Sequence, residues 1–387
     1  MNLFIKNAEV FIDGTFVKSN IIVKDGRISS VSSASRNTEQ YPEIDAKGKK
    51  VVPGFIDIHT HGADNIDVNH ATAEDYCKLG KFFASRGTTS YQASIVTDTE
   101  ENTLRCIEQI KKAMEMDPCG ANLIGIHLEG PFLGPDYKGS MPGHLLKNAD
   151  LELFRRYYDA SGGKITYITI APEIEGSLDL IREAVKTGVV VCIGHSGADY
   201  ETAIESISNG AAAVTHIFNA MRPLHHHNPG IVGAALESDV YCEAICDGRH
   251  LHPATVRLLI KTKGLGRVVA VTDSIMATGL PDGEYILGVN KVRVTNGDAR
   301  LVSDGTRAGS TLTADTALKN LIKFTGRTLG EIIPLLTVNP ARLMRIDDRK
   351  GSIETGKDAD LVILDDNLDV ETTIVGGRIV YGRDKQQ

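Results

Sequence analysis

Eight short apolar runs, separated by amphipathic stretches, occupy the middle of this 387-residue chain and constrain its fold more than any other feature. The intervening stretches, such as 73–86 and 99–116, have the apolar spacing of amphipathic helices. Strands that alternate with helices predict a parallel sheet, and eight such units predict a (β/α)₈ TIM barrel. An open, doubly wound sheet is the alternative, but no G-x-G-x-x-G motif follows the first run to support it. The runs are Phe55–His59, Thr88–Ser94, Leu123–Leu128, Ile165–Ile170, Val189–Gly194, Ala212–Ile217, Tyr241–Cys246 and Val268–Thr272.

The two ends of the chain have a different pattern, in which apolar and polar residues alternate in short runs. In the N-terminal part, Asp13-Gly14 and Asp25-Gly26 stand between such runs, and Gly376-Gly377 does so near the C-terminus. These dipeptides are typical of tight β-hairpin turns. We therefore predict one β-sandwich domain from residues 1–50 and 346–387, with a catalytic barrel domain of residues 51–345 inserted between its halves.

The charge balance and the distribution of apolar residues argue against several classes of partner. There are 42 Lys and Arg residues against 50 Asp and Glu residues, a net charge of −8 without a basic run, which argues against a nucleic-acid partner. No apolar run has membrane-spanning length, and the N-terminal sequence does not resemble a signal peptide, so we expect a cytoplasmic protein without a membrane partner. The six cysteines lack any C-x-x-C pattern, and we expect them to be reduced and buried.

The predicted barrel strands end in imidazole and carboxylate side chains. Because TIM-barrel enzymes have their active sites at the C-terminal ends of the strands, we expect these side chains to meet in one site. They are His59 and His61 at the end of the first strand, Glu129 at the end of the third, His195 at the end of the fifth, His216 at the end of the sixth and Asp273 at the end of the eighth. Any one of them could be an ordinary loop residue, but together they predict a metal site. Nitrogen and oxygen ligands without thiolate suit Zn, Fe, Mn or Co, and there are enough ligands for one or two divalent ions, with Glu129 able to bridge them.

The chemistry expected of such a site is metal-assisted hydrolysis of an amide or an ester. A bound divalent ion lowers the pKa of its water to about 7 and so makes hydroxide available. Asp273 is the expected proton shuttle, which accepts a proton from that water and delivers it to a leaving amine. Nucleophilic serine catalysis has little support because no G-x-S-x-G motif is present.

Several stretches resemble the N-acetylglucosamine-6-phosphate deacetylases of the amidohydrolase superfamily, and the resemblance extends over nearly the whole chain. Its most specific motifs are Glu129-Gly130-Pro131 and the stretch from Thr215-His216 to Asn219-Ala220-Met221. The resemblance implies that the ligands after strands three, five and six hold one metal, that the His59/His61 pair holds a second, and that Asp273 is the catalytic carboxylate. Further matching stretches are 53–62, 170–173, 194–196, 247–250, 271–274 and 350–361.

The resemblance also implies how the substrate is held, and here the chain departs from the family in two places. Sugar and phosphate contacts fall on Asn219, the Ala220 backbone and His250. Met141 stands where many members have a His or Gln that helps to polarise the acetyl carbonyl, which leaves the metal as the main Lewis acid. His227 stands where members have an Arg that reaches the phosphate bound in a neighbouring subunit, and it belongs to a run of three histidines.

The function that the resemblance implies is hydrolysis of the N-acetyl group of N-acetyl-D-glucosamine 6-phosphate to D-glucosamine 6-phosphate and acetate. A homodimer that acts on this small amino-sugar phosphate is expected. One alternative is a deacetylase for another N-acetylhexosamine, such as the galactosamine 6-phosphate epimer or an unphosphorylated sugar. A cyclic-amide hydrolase fits less well, because Ile170-Ala171-Pro172 offers no lysine for carboxylation after the fourth strand. A catalytically inactive binding protein is a further alternative, against which the complete ligand set and Asp273 argue.

Overall fold

The computed structural model describes residues 1–33 and 41–383, and its centre is a barrel of eight parallel strands. The (β/α)₈ prediction is therefore confirmed. Neighbouring strands follow one another in chain order, and the Asp273 N–H joins the last strand to the first by donating to the His59 carbonyl oxygen at 2.8 Å. The strands are Phe55–Thr60, Thr88–Val96, Asn122–Glu129, Ile165–Ile170, Val190–Ile193, Ala211–Val214, Tyr241–Ile245 and Val268–Val271.

These strands were visible as apolar runs because both of their faces are covered. Every residue of Phe55–Thr60 and of Thr88–Val96 is buried, as is typical of parallel strands with helices outside and packed side chains inside. The predicted ends differ from the observed ones by up to three residues. The largest difference is in the sixth strand, which ends at Val214, so that His216 lies in the following loop.

Helices connect the strands and cover the barrel. The predicted helical stretches 73–86 and 99–116 correspond to Asp75–Ser85 and Glu100–Glu115. The second of these begins where the Thr99 side chain accepts a hydrogen bond from the Asn102 N–H, a common way to cap a helix. No helix among residues 1–33 and 41–383 is long and apolar enough to cross a membrane. The remaining α-helices are Leu151–Ser161, Ser177–Lys186, Tyr200–Ser208, Gly230–Glu237, Pro253–Lys263, Ala314–Thr325, Leu329–Ile332 and Val338–Leu343, and 3₁₀ turns are at Pro135–Tyr137, Gly143–Leu145, Leu265–Arg267 and Ile333–Leu336.

The two chain ends form one hydrogen-bonded sheet of eight strands. As predicted, the dipeptides at 13–14, 25–26 and 376–377 are its hairpin turns, and both residues of each pair have the positive φ that such turns require. Lys50–Pro53 pairs with strands from both chain ends and then leads directly into the first barrel strand. The other strands are Leu3–Ile12, Thr15–Lys24, Arg27–Ser32, Glu43–Asp45, Leu361–Leu364, Val370–Val375 and Arg378–Gly382. The division into domains at 50/51 and 345/346 stays a prediction.

The linking strand Lys50–Pro53 also joins the two apolar cores. Because successive side chains of a strand point to opposite faces, Val52 packs into the barrel core while Val51 packs into the core of the terminal sheet. Its antiparallel neighbour does the same, with Val362 on the barrel side and Ile363 on the other. The terminal sheet therefore fixes the direction in which the chain enters the first barrel strand and its two histidines.

A three-stranded antiparallel sheet between the eighth barrel strand and the helix Ala314–Thr325 was not predicted. It consists of Gly283–Leu287, Asn290–Thr295 and Asp298–Leu301, and Leu287 from its first strand lines the cleft described below. Its strands are short and carry many exposed polar residues, so their apolar signal is weaker than that of the barrel strands. A two-stranded ribbon of Gly62–Ala63 and Ile66–Asp67 follows the first barrel strand.

The prediction that all six cysteines are reduced and buried is wrong for one pair. Cys77 and Cys119 form a disulfide bond, and both residues are only partly buried. The reason is tertiary: Cys77 is in the helix Asp75–Ser85, and the loop that carries Cys119 packs beside it, with the two Cα atoms 5.2 Å apart. The other four cysteines are buried free thiols, as expected.

Candidate active site

The barrel brings the six predicted side chains from five strand ends to one point. His59 and His61 lie side by side, with their Nε2 atoms 3.2 Å apart. The Glu129 Oε1 atom is 3.4 Å from His59 Nε2, and its Oε2 atom is 3.1 Å from His61 Nε2. These three buried side chains form one group whose ligand atoms all lie within 4.8 Å of one another.

A second group shares Glu129 with the first. His195 Nε2 and His216 Nε2 each lie 3.1 Å from Glu129 Oε1, and they are 3.1 Å from each other. These three side chains are also buried and have ligand atoms within 4.8 Å of one another. Glu129 therefore stands between two pairs of imidazoles, which is the position of a bridging carboxylate.

For His61 and His195, the hydrogen bond of the outer ring nitrogen decides which nitrogen faces this point. His61 Nδ1 lies 2.9 Å from the Ser94 carbonyl oxygen, and His195 Nδ1 lies 3.1 Å from the Tyr137 carbonyl oxygen. A carbonyl oxygen can only accept, so each Nδ1 carries the proton and donates it. Nε2 is then the nitrogen that faces the site, and in a neutral imidazole it presents a lone pair there, as in metal-ligating histidines.

This arrangement fits a divalent metal. Lone pairs of imidazole nitrogens and carboxylate oxygens repel one another at these distances unless a cation or a proton lies between them. Tetrahedral coordination with metal–nitrogen bonds of about 2.0–2.1 Å places neighbouring ligand atoms about 3.3 Å apart. The separations of 3.1 to 3.4 Å within both groups match that value.

The same proximity shifts the acidity of the site residues. Burial alone would raise the pKa of Glu129, but the neighbouring imidazoles, above all His59, hold it well below its usual range. Burial would likewise raise the pKa of Asp273, but its hydrogen bond with His61 and the charge of His59 keep it low. Both carboxyl groups are therefore ionised. Burial acts to lower the pKa of His61, but hydrogen bonds to Asp273 and Glu129 raise it to about 9.

Asp273 completes the site next to the first group. Its Oδ1 atom is 3.1 Å from His61 Nε2 and 3.7 Å from His59 Nε2. Asp273, His195 and His216 all have positive φ, at 49°, 47° and 24°, which is uncommon for residues with a side chain. The backbone hydrogen bond to His59 and a second from the Ser310 N–H to the Asp273 carbonyl oxygen hold Asp273 in this conformation. Such strained residues cluster at functional sites.

Glu243 is a site residue that the sequence analysis missed. Its side chain has 0% exposure and lies behind the ligands, where Oε2 is 3.0 Å from His59 Nδ1 and accepts the His216 N–H at 3.1 Å. Its Oε1 accepts the Tyr167 hydroxyl at 2.6 Å. Glu243 thus contacts one ligand from each group and holds His59 with Nε2 toward Glu129. A glutamate inside the apolar run Tyr241–Cys246 was the signal that could have revealed it.

The ligands open into a cleft of about 240 Å³. Four of the predicted substrate contacts, Asn219, Ala220, His250 and Met141, line this cleft. His250 is fixed by its Nδ1, which lies 2.8 Å from the Asp247 carboxylate. Burial opposes ionisation of Asp247, but the hydrogen bond and charge of His250 hold its pKa below the usual value. Met141 is buried in a small apolar cluster with Leu287 and offers no hydrogen-bond donor to a carbonyl.

The structure does not bring His227 to the cleft of its own chain. His225, His226 and His227 are exposed and lie against one another, with ring centroids 4.0 to 5.6 Å apart. None of the three is among the residues that line the cleft in the described part of the chain. A contact from His227 to a phosphate bound in a neighbouring subunit stays a prediction.

A family model and several curated proteins match this chain along nearly its full length. The model of the amidohydrolase family matches residues 50–380. The N-acetylglucosamine-6-phosphate deacetylase of Bacillus subtilis (strain 168) is 36% identical over 386 residues, which are 98% of this chain and 97% of that protein. The human N-acetylglucosamine-6-phosphate deacetylase is 31% identical over 392 residues, which cover 98% of this chain and 95% of the other.

Solved structures show the same likeness in three dimensions. The N-acetylglucosamine-6-phosphate deacetylase of Thermotoga maritima superposes with a TM-score of 0.89 at 32% identity, covering 98% of this chain and 99% of the other. A mutant of the Mycobacterium smegmatis enzyme, solved in complex with N-acetyl-D-glucosamine-6-phosphate, superposes with a TM-score of 0.91 at 31% identity and covers 98% of this chain and 99% of the other.

Proposed function

The chain belongs to the amidohydrolase family, and we propose that it is a metal-dependent deacetylase of N-acetyl-D-glucosamine 6-phosphate. It hydrolyses the N-acetyl group, so that the oxygen of water joins the acetyl carbon and the carbon–nitrogen bond breaks. The products are D-glucosamine 6-phosphate and acetate. One observation carries this proposal. Asp273 lies beside the two ligand groups, and the cleft that they face is also lined by Asn219 and His250.

The ligand residues have distinct tasks in this proposal. Glu129, His195 and His216 would hold one divalent ion, and the His59/His61 pair together with Glu129 would hold a second. When bound, a divalent ion lowers the pKa of water and polarises the acetyl carbonyl. Zn, Fe, Mn and Co all suit this donor set.

Asp273 is the proposed acid–base residue. Because its carboxyl group is ionised and lines the cleft, it can accept a proton from the attacking water. The same carboxyl group then delivers the proton to the nitrogen of the leaving amino sugar. Met141 takes no part in carbonyl activation, since a thioether has no proton to donate.

Asn219, the Ala220 backbone and His250 are the proposed contacts of the sugar and its phosphate. A contact between His227 and a bound phosphate requires a second subunit, because the triple-histidine loop lies outside the cleft of its own chain. A homodimer in which each loop approaches the neighbouring cleft is therefore part of the proposal. A cytoplasmic location stays a prediction.

The test is an activity measurement on the purified protein reconstituted with each candidate metal. Acetate release and the appearance of a free amine are followed with N-acetylglucosamine 6-phosphate, its galactosamine epimer and unphosphorylated N-acetylglucosamine. We expect the highest kcat/KM with N-acetylglucosamine 6-phosphate and no activity after chelation. A higher value with another sugar would change the substrate assignment. Absence of acetate with every sugar and metal would favour the inactive binding protein.

A further inference from the structure

One cationic side chain lines the cleft without a role in the function described so far. Arg307 lies in the irregular stretch after the inserted three-stranded sheet, and it borders the cleft together with Asn219, Ala220 and His250. Among the cleft-lining residues in the part of the chain that the structure describes, it is the only Lys or Arg. The cleft wall thus combines the proposed phosphate contacts with one permanent positive charge.

The guanidinium of Arg307 is fixed in place by the backbone and a carboxylate. Its Nε and Nη2 atoms donate to the two carboxylate oxygens of Asp298 at 2.9 and 3.2 Å. Its Nη1 atom donates to the carbonyl oxygen of Arg249, the residue before His250, at 3.0 Å. These bonds use three of the five N–H donors of a guanidinium, so two remain for a ligand. A pre-positioned guanidinium loses little conformational freedom when it binds an anion.

Two guanidinium groups share the carboxylate that orients Arg307. Asp298 accepts from Arg307, and the Arg300 Nε also donates to it at 2.8 Å. Arg300, Arg307 and Asp298 thus form a cluster of two guanidinium groups and one carboxylate. The carboxylate that orients Arg307 therefore does not neutralise the cluster.

A phosphate needs this charge because the other predicted contacts supply little of it. His250 Nδ1 lies 2.8 Å from Asp247, so the charge of a protonated His250 is already paired with this carboxylate. His227, which replaces the expected arginine, lies outside the cleft of its own chain. Arginine is the side chain best suited to a phosphate, which it can bind through two parallel hydrogen bonds.

We propose that Arg307 binds the 6-phosphate of the substrate and makes the chain selective for phosphorylated amino sugars. This inference rests on the proposed function. In this proposal the permanent positive charge at the phosphate comes from the same chain, from the loop that follows the inserted sheet. Arg307 supplies the guanidinium that the resemblance places in a neighbouring subunit, and His227 of that subunit adds a further contact.

The test compares Arg307→Met with Arg300→Met in the metal-loaded enzyme. Both variants remove one guanidinium from Asp298 and leave the other in place, but only Arg307 lines the cleft. For Arg307→Met we expect KM for N-acetylglucosamine 6-phosphate to rise about ten- to a hundredfold, the loss typical of a charge-assisted hydrogen bond. The inhibition constant of glucosamine 6-phosphate should rise by a similar factor, while that of glucosamine and the metal content stay unchanged. Arg300→Met should change none of these values by more than about twofold.

Three outcomes would overturn the proposal. If Arg307→Met weakens the inhibition by glucosamine and by glucosamine 6-phosphate equally, Arg307 has a structural role through Asp298. An unchanged KM in Arg307→Met, with or without a rise in His227→Ala, would show that Arg307 does not contact the phosphate. A change of equal size in Arg300→Met would assign the effect to the general charge of the cluster. A wild-type enzyme that hydrolyses none of the sugars refutes the proposed function instead, and that result is visible before any variant is made.

Discussion

Replacing Glu243 should weaken metal binding although Glu243 is not a predicted ligand. Its carboxylate receives three donors, from His59 Nδ1 at 3.0 Å, the His216 N–H at 3.1 Å and the Tyr167 hydroxyl at 2.6 Å. Glu243→Leu leaves all three donors buried without an acceptor and frees the His59 ring to rotate or to change tautomer. The loss of such a partner behind a metal ligand typically costs about 10–100-fold in metal affinity.

Glu243→Gln tests the negative charge of Glu243 separately from its hydrogen bonds. The amide oxygen can still accept from His59 and His216, and the amide nitrogen can donate to the Tyr167 hydroxyl, which accepts as well as it donates. Only the negative charge behind His59 is then lost. We therefore expect affinity for the ion at the His59/His61 pair to fall by about tenfold in Glu243→Gln and about a hundredfold in Glu243→Leu.

The assay is elemental analysis of each variant after equilibration with buffered concentrations of Zn²⁺ or Mn²⁺, so that each ion's affinity is measured directly. Tyr167→Phe is the matched control, because it removes a contact of Oε1 and leaves both contacts of Oε2 intact. Thermal unfolding of the metal-loaded proteins shows whether each variant folds. If Glu243→Leu folds and binds metal as tightly as the wild type, Glu243 does not position His59 for a metal.

Three further predictions concern residues at the cleft and the triple-histidine loop. Asp273→Asn should lower kcat by about 10²–10⁴-fold with little change in metal content, because the amide cannot accept a proton. A variant that keeps more than about a tenth of the wild-type kcat would exclude Asp273 as the proton shuttle. Glu129→Gln should lose metal by elemental analysis, because the ions lose compensating charge, and full occupancy would contradict the bridging position. His227→Ala should raise KM for the phosphorylated sugar and His227→Arg should lower it; unchanged KM values in both would place this loop away from any phosphate.

The barrel and the grouping of its candidate ligands were predictable because both have local sequence signals. A buried parallel strand appears as a continuous apolar run, and in this fold the functional residues follow directly after such runs. His195 and His216 could therefore be selected by their position at the end of an apolar run, without knowledge of any contact between them. The hairpin turns at the chain ends were predictable for a similar reason, since Asp-Gly and Gly-Gly pairs are suited to the positive φ values of tight turns.

Other features depend on contacts between residues far apart in sequence. Glu243 lies inside a strand rather than at its end, and only barrel closure places it against His59, 184 residues away. The Cys77–Cys119 disulfide likewise depends on how a loop packs against a helix. Neither contact leaves a periodic pattern that could be recognised from either partner alone.

The sequence by itself determined the order of strands and helices in the barrel and the residue types at the ends of its strands, because periodicity and turn preference act over a few neighbouring residues. Those residue types already indicated metal-dependent chemistry. The tertiary structure decided which nitrogen of each histidine faces the site, which carboxylate stands behind the ligands and which arginine borders the cleft. It also excluded His227 from the cleft of its own chain. The physical reason is that these properties depend on distances across the barrel mouth, and such distances exist only once all eight strands have closed around it.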